Sequence, residues 1–217
     1  MASKAGTGTG KNFSKEAMGA RLRGIRKGKG FTLKQLSETS GVALSTLSKA
    51  ELGQTALSYE KFVAIALALD VDMAMLLQAG GDPPPNRLNG QAWTASSLEQ
   101  HEYQTSTYRH QFLFSEISGK AMTPIVATIF SRTLDEFKEY IKHPGQEFTY
   151  VLSGAIRIVF ENGETIELKR NEVAYFDSSV GHVYLSTSKV PARVLAVCMD
   201  VPDVVRIALN RPNSSIM

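Results

Sequence analysis

Residues 32–53 read TLKQLSETSGVALSTLSKAELG, and their punctuation decides how the N-terminal third folds. Thr32 is placed to cap a short helix carrying Leu33 and Leu36, and Gly41 supplies the left-handed residue that a helix ending at Ser40 needs. A second short helix starts near Ala43, covers Leu44 to Leu52 and stops at Gly53. Leu36, Val42 and Leu47 then pack the two helices together. Leu44, Ser45, Ser48 and Lys49 remain on the outward face of the second helix. Small hydroxyls and a cation on such a face suit base edges and phosphates in a major groove.

Helical periodicity extends on both sides. Upstream, Met18, Leu22 and Ile25 form one stripe, ended by Gly28 and Gly30. Downstream, Ser58 is placed to cap a fourth helix with Phe62, Ile65, Ala66 and Leu69 inward, and Val71–Leu77 make a fifth. The expectation is an all-α five-helix domain over residues 14–78. Residues 1–13 (MASKAGTGTGKNF) hold almost no apolar side chains and read as a disordered basic arm.

The charge distribution agrees. The 217-residue chain has a net charge of +3, but residues 1–49 hold ten Lys/Arg against two acids, while residues 79–217 hold 13 basic and 15 acidic residues. A basic module for an anionic polymer is joined to a near-neutral one. With 43% hydrophobic and 21% charged residues the composition is globular. The single cysteine, Cys198, excludes an intrachain disulfide framework and a cysteine-based zinc cluster. No apolar run approaches the ~18 residues of a membrane span, and no apolar signal core opens the chain. The expectation is a cytoplasmic protein without a membrane partner.

Residues 18–77 resemble the lambda-repressor-like, XRE-type helix-turn-helix domain. The resemblance rests on Arg21, Leu22, Ile25, Arg26, Phe31-Thr32-Leu33, Leu36, Gly41-Val42, Ser45-Thr46-Leu47-Ser48, Glu51 and Gly53. It implies duplex DNA as partner, read by the helix holding Leu44, Ser45, Ser48 and Lys49. Thr46 and Thr32 are implied phosphate contacts, and Arg21 and Arg23 are further phosphate candidates. It also implies an internal ion pair between Arg26 and Glu51. Three positions depart from the pattern: Ala43 stands at the usual Ser/Thr cap, Leu33 replaces a polar residue, and Leu57 replaces a proline. One such domain reads few base pairs, so a homodimer on a palindromic operator is expected.

Residues 79–92, with three consecutive prolines at Pro83–Pro85, read as a semi-rigid linker that holds two domains apart. Beyond it, over 93–217, the period changes to two. Strand-like runs fall at 111–117, 124–131, 147–152, 155–160, 165–168, 172–176, 182–186 and 192–199, with Ser153-Gly154 and Asn162-Gly163 as hairpin turns. Seven or eight closely spaced strands indicate a sandwich or barrel.

Two stretches in this half carry chemistry. His143 and Glu147 flank a Pro-Gly turn, and Asp177-Ser-Ser-Val-Gly-His182 follows a strand some thirty residues on. Imidazole and carboxylate donors from the two places suit one divalent cation. The stretches from His143 to Gly154 and from Asn171 to His182 resemble the two motifs of the cupin fold, a double-stranded β-helix or jelly-roll barrel. The resemblance implies two histidines and a glutamate from the first motif and a histidine from the second. Ile141 stands where one of those histidines belongs, and Asn171, Asp177 and Ser179 replace a Gly, a Pro and a Gly. His143, Glu147 and His182 are left as candidate ligands for one divalent ion, with Zn, Fe, Ni and Mn all open.

Helix-turn-helix proteins with this appended domain resemble the chain from end to end. The resulting expectation is a transcriptional regulator whose barrel dimerises and senses a small-molecule effector, with Tyr184, Tyr150 and Arg132 as candidate effector contacts. The alternative is a metal-dependent cupin enzyme, a dioxygenase or isomerase, with an auxiliary DNA-binding domain. His101 and His110 show no partner pattern and read as surface residues, and Cys198, in VLAVCMDV, reads as core.

Overall fold

A computed structural model describes residues 14–71, 75–76, 90, 92–96, 101–115, 117 and 119–199. The expected arm at 1–13, nearly all of the linker and residues 200–217 lie outside the described residues. In the first domain α1 spans Lys15–Gly28, α2 Leu33–Ser40, α3 Leu44–Glu51 and α4 Tyr59–Leu69. Ser14 caps α1 by accepting from the Ala17 amide. Thr32 and Gln35 cap α2 reciprocally, and Gly41, at φ +70°, closes it. Ala43 gives α3 no side-chain cap. Ser58 precedes α4 but caps no backbone amide; its hydroxyl bonds the Glu60 carboxylate instead. The expected fifth helix falls mostly outside the described residues, of which Met75 and Leu76 are helical.

The helices pack around Met18, Leu22, Leu36, Val42, Leu47, Phe62, Ile65 and Leu69, all buried. Gly19 lets α1 touch α3 directly, since a Cβ there would lie 2.2 Å from the Ala50 carbonyl oxygen.

Among the described residues, nine strands form the second domain: β1 His101–Gln104, β2 Tyr108–Phe112, β3 Thr123–Ile129, β4 Gln146–Ser153, β5 Ala155–Phe160, β6 Thr165–Lys169, β7 Val173–Asp177, β8 His182–Ser186 and β9 Ala192–Met199. One sheet runs β1-β2-β3-β9-β4-β7 and the other β6-β5-β8, all antiparallel. This is the two-domain α plus cupin-barrel fold expected. Two strands differ from the periodicity. The first strand of the barrel, His101–Gln104, is added. The run expected at 111–117 begins earlier and ends at Phe112, where a turn with Phe114 at φ +56° breaks it. Asn171, in place of the family's glycine, adopts φ +71°, which asparagine tolerates.

The domains are not held apart. Tyr59 of α4 stacks on Phe112 with ring centroids 6.2 Å apart, Phe62 meets Tyr103 edge-on at 5.2 Å, and Lys61 pairs with Glu139 at 2.8 Å. One continuous apolar cluster runs from Leu36 and Leu47 through Phe62 to Tyr103, Phe112 and Ile125. Proline stiffness in a linker says nothing about affinity between the surfaces it joins, and here apolar burial brings them together.

Candidate functional site

The outward side of α3 carries Leu44, 47% exposed, beside the exposed Ser45 and Lys49 and the half-buried Ser48. Arg23 and Thr32 are exposed, but the Thr32 hydroxyl is engaged in its capping box, donating to Gln35 Oε1 at 2.9 Å. Arg21 serves the fold instead. Its Nε donates to the Met75 carbonyl at 2.9 Å, tying α1 to the chain beyond α4. Thr46 is half-buried and faces the junction between the domains.

Arg26 and Glu51 form a buried fork, Nε to Oε1 at 2.5 Å and Nη2 to Oε2 at 2.8 Å, with Nη1 on the Phe31 carbonyl at 2.7 Å. The hydrogen bond to Glu51 raises the Arg26 pKa against the cost of burial. Removing one partner of such a pair costs about 3–5 kcal/mol.

In the barrel the expected donors converge. Strand β4 alternates, so Glu147, Thr149 and Val151 point inward. Glu147 Oε2 lies 3.0 Å from His143 Nε2 and 3.5 Å from His182 Nε2. All three side chains are at most 4% exposed. Burial alone would push the Glu147 carboxyl up; the hydrogen bonds from His143 and His182 outweigh it and hold the group well below the usual carboxylate range. His182 Nδ1 donates to the Val180 carbonyl at 2.9 Å, which turns Nε2 toward the Glu147 carboxylate. Two imidazoles and a carboxylate, buried and meeting at Glu147 Oε2, are donor types that suit a divalent cation, and the donor atoms of His143, Glu147 and Cys198 lie within 4.8 Å of one another. Ile141 fills the remaining motif position with an apolar side chain and bridges His182 through its backbone.

Tyr184 joins the cluster, with its hydroxyl 2.5 Å from Thr149 Oγ1 and donating to Glu147 Oε1. Burial and the Glu147 charge push its phenol well above the ordinary range, so it remains a donor. The other two candidate effector contacts stand elsewhere. Tyr150 points to the opposite side of β4, donating to Asn171 Oδ1 at 3.0 Å. Arg132 is exposed and holds a loop through the Ser188 and Lys189 carbonyls. Strand parity excludes Tyr150 from the side that carries Glu147, and Arg132 lies beyond the end of β3.

Three residues enter that sequence reasoning missed. Cys198 Sγ lies 3.6 Å from Glu147 Oε2. His110, half-buried, lines the barrel cavity, and apolar enclosure pushes its pKa down to about 4 against the opposing pull of the Glu147 charge. Tyr59 comes from the other domain: its ring meets His143 edge-on at 5.1 Å, and its hydroxyl lies against Cys198 and Thr123. These groups border one cavity of about 430 Å³. Its floor is the barrel interior, with Ile125, Ala127, Val194 and Ala196, and its opposite wall is Thr46, Thr55, Ala56, Ser58 and Tyr59 of the helical domain.

The helix-turn-helix family model matches residues 22–76, and the cupin-domain model matches residues 135–198. No curated protein matches the chain. Among solved structures, an HTH_3 family transcriptional regulator from Vibrio cholerae is 16% identical, with TM-score 0.59 over 87% of this chain and 98% of that one. Hydroxypropylphosphonic acid epoxidase from S. wedmorenis is 19% identical, with TM-score 0.46 over 87% of this chain and all of its own. The likeness to the Vibrio protein is one of fold. No helix among the described residues is long and apolar enough to cross a membrane.

Proposed function

We propose that this chain, which carries a helix-turn-helix domain and a cupin domain, is an XRE-type transcriptional regulator whose barrel cavity senses a small molecule and passes occupancy to the DNA-binding domain through α4. The observation that carries this reading is the shared cavity, walled on one side by Ser58 and Tyr59 of α4 and on the other by the barrel. An occupant touches both domains at once. Its affinity therefore differs between arrangements in which α4 is seated on the barrel and those in which it is not, and such a difference is what a ligand needs to shift DNA binding. The cytoplasmic regulator acts as a homodimer on a palindromic operator, with Leu44, Ser45, Ser48 and Lys49 at base edges and Thr32 and Arg23 near phosphates, while Thr46 faces the cavity instead.

His143, Glu147 and His182 would hold a divalent cation, which when bound supplies a fixed positive charge at the wall of the cavity. Elemental analysis of wild type and Glu147→Gln is expected to give roughly one metal per chain, lost in the variant. Operator fragments selected from genomic DNA should bind in fluorescence anisotropy, and effectors found by thermal shift should change that affinity. Sedimentation should give a dimer. A monomer both free and on DNA removes the palindromic reading; selected effectors that leave operator affinity unchanged remove the sensing one. The enzyme reading is favoured by one observation, the opening of the donor cluster into a cavity. Oxygen uptake or substrate turnover by the purified protein would establish it.

A further inference from the structure

The cupin pattern implies four metal ligands, and the chain supplies three, because position 141 is isoleucine. The shortfall has a candidate on β9. The inward residues of that strand are Ala192, Val194, Ala196 and Cys198, three small apolar groups and one thiol. β9 pairs with β4 so that Cys198 stands directly opposite Glu147. The thiol sulfur is 3.6 Å from Glu147 Oε2, and the donor atoms of His143, Glu147 and Cys198 all lie within 4.8 Å of one another. His182 Nε2 reaches the same carboxylate oxygen at 3.5 Å. Packing alone would be met by another alanine or valine, as it is along the rest of the strand. A sulfur donor placed beside two imidazoles and a carboxylate is a ligand set for a borderline-soft cation.

We propose that Cys198 is the fourth metal ligand, completing with His143, Glu147 and His182 a site for a thiophilic divalent cation such as zinc. This rests on the reading that the cluster holds a metal at all. On binding, the thiol loses its proton to solvent and the sulfur coordinates as thiolate, so metal uptake releases a proton. Four protein ligands fill a tetrahedral zinc site and leave no open position for a substrate. The site then serves structure and sensing, not turnover. It also reaches the DNA-binding domain, because the sulfur that the metal would engage is the one against the Tyr59 hydroxyl.

The test is a Co(II) titration of the full-length protein, followed by absorption. Cys198 is the only cysteine in the chain, so a thiolate-to-cobalt charge-transfer band in the near ultraviolet has one source. The expected result is that band in wild type, its loss in Cys198→Ser, and Co(II) affinity lowered by about tenfold or more. Zinc-loaded wild type gives a second readout that needs no variant: X-ray absorption should show a sulfur neighbour at about 2.3 Å. Visible cobalt d–d bands without a charge-transfer band, together with a zinc shell of nitrogen and oxygen only, overturn the assignment of Cys198 and leave the His143, Glu147, His182 set intact. Absence of any Co(II) or Zn(II) binding overturns that set as well, and the inference with it.

Discussion

At the scale of single residues, the proposed part of Lys49 in recognition can be tested apart from folding. Its side chain is exposed on α3 and sits away from the buried Leu47 and Ala50. Lys49→Ala is therefore expected to weaken operator binding by about 1–3 kcal/mol, the worth of one good contact, with no change in Tm; unchanged anisotropy would remove Lys49 from the interface. His110 gives a pH signature. Its pKa of about 4 in the folded protein lies below the ~6.5 of an unfolded chain. Between those values the unfolded chain takes up a proton that the folded one refuses, so stability from this site is lost as pH falls from about 6.5 toward 4. His110→Gln should lose less Tm than wild type between neutral and acid pH, and equal losses would show that the ring is not enclosed. The Arg26–Glu51 pair and the approach of His143 and His182 to Glu147 were legible through resemblance to known families, which implies those residues as partners. Cys198 was not, because it faces Glu147 only through a cross-strand register 51 residues apart. Tyr150 and Arg132 show the same limit from the other side: nearness in sequence is no guide to which side of a sheet a residue occupies.

At the scale of elements, α1 and α3 approach through Gly19, which meets the Ala50 and Glu51 carbonyls where a methyl group would overlap them. Gly19→Ala is expected to destabilise the helical domain by about 1–3 kcal/mol or more and to weaken DNA binding in parallel, because α3 must move. An unshifted thermal melt would show that the helices can part without cost. Helices α1 to α4 and seven strands were legible from caps, glycines and period alone. The first two strands were not. β1 carries a single strongly buried aromatic, Tyr103, so its alternation is faint, and the start of β2 at Tyr108 is hidden in a run of polar and aromatic residues. Ser58 reads as a cap by type, but its hydroxyl is taken by Glu60.

At the scale of the whole molecule, the two domains share one apolar cluster through Phe62, Tyr103 and Phe112. They are expected to unfold together, as one calorimetric transition whose van't Hoff and calorimetric enthalpies agree. Phe62→Ala should lower that transition and split it in two; two transitions in wild type would show that the junction contributes little. Composition and the proline run suggest a division of the chain into an α and a β part, but they carry no information on contact between the parts. That contact also limits how freely nature or an engineer can shuffle these domains. Residues 55–61 belong by sequence to the DNA-binding half, yet Tyr59 closes the cavity of the other half. A hybrid regulator made by cutting in the proline linker and joining this barrel to a foreign DNA-binding head would inherit a cavity with one wall missing. To keep its response, the graft would have to carry the first turn of α4 along with the barrel it closes.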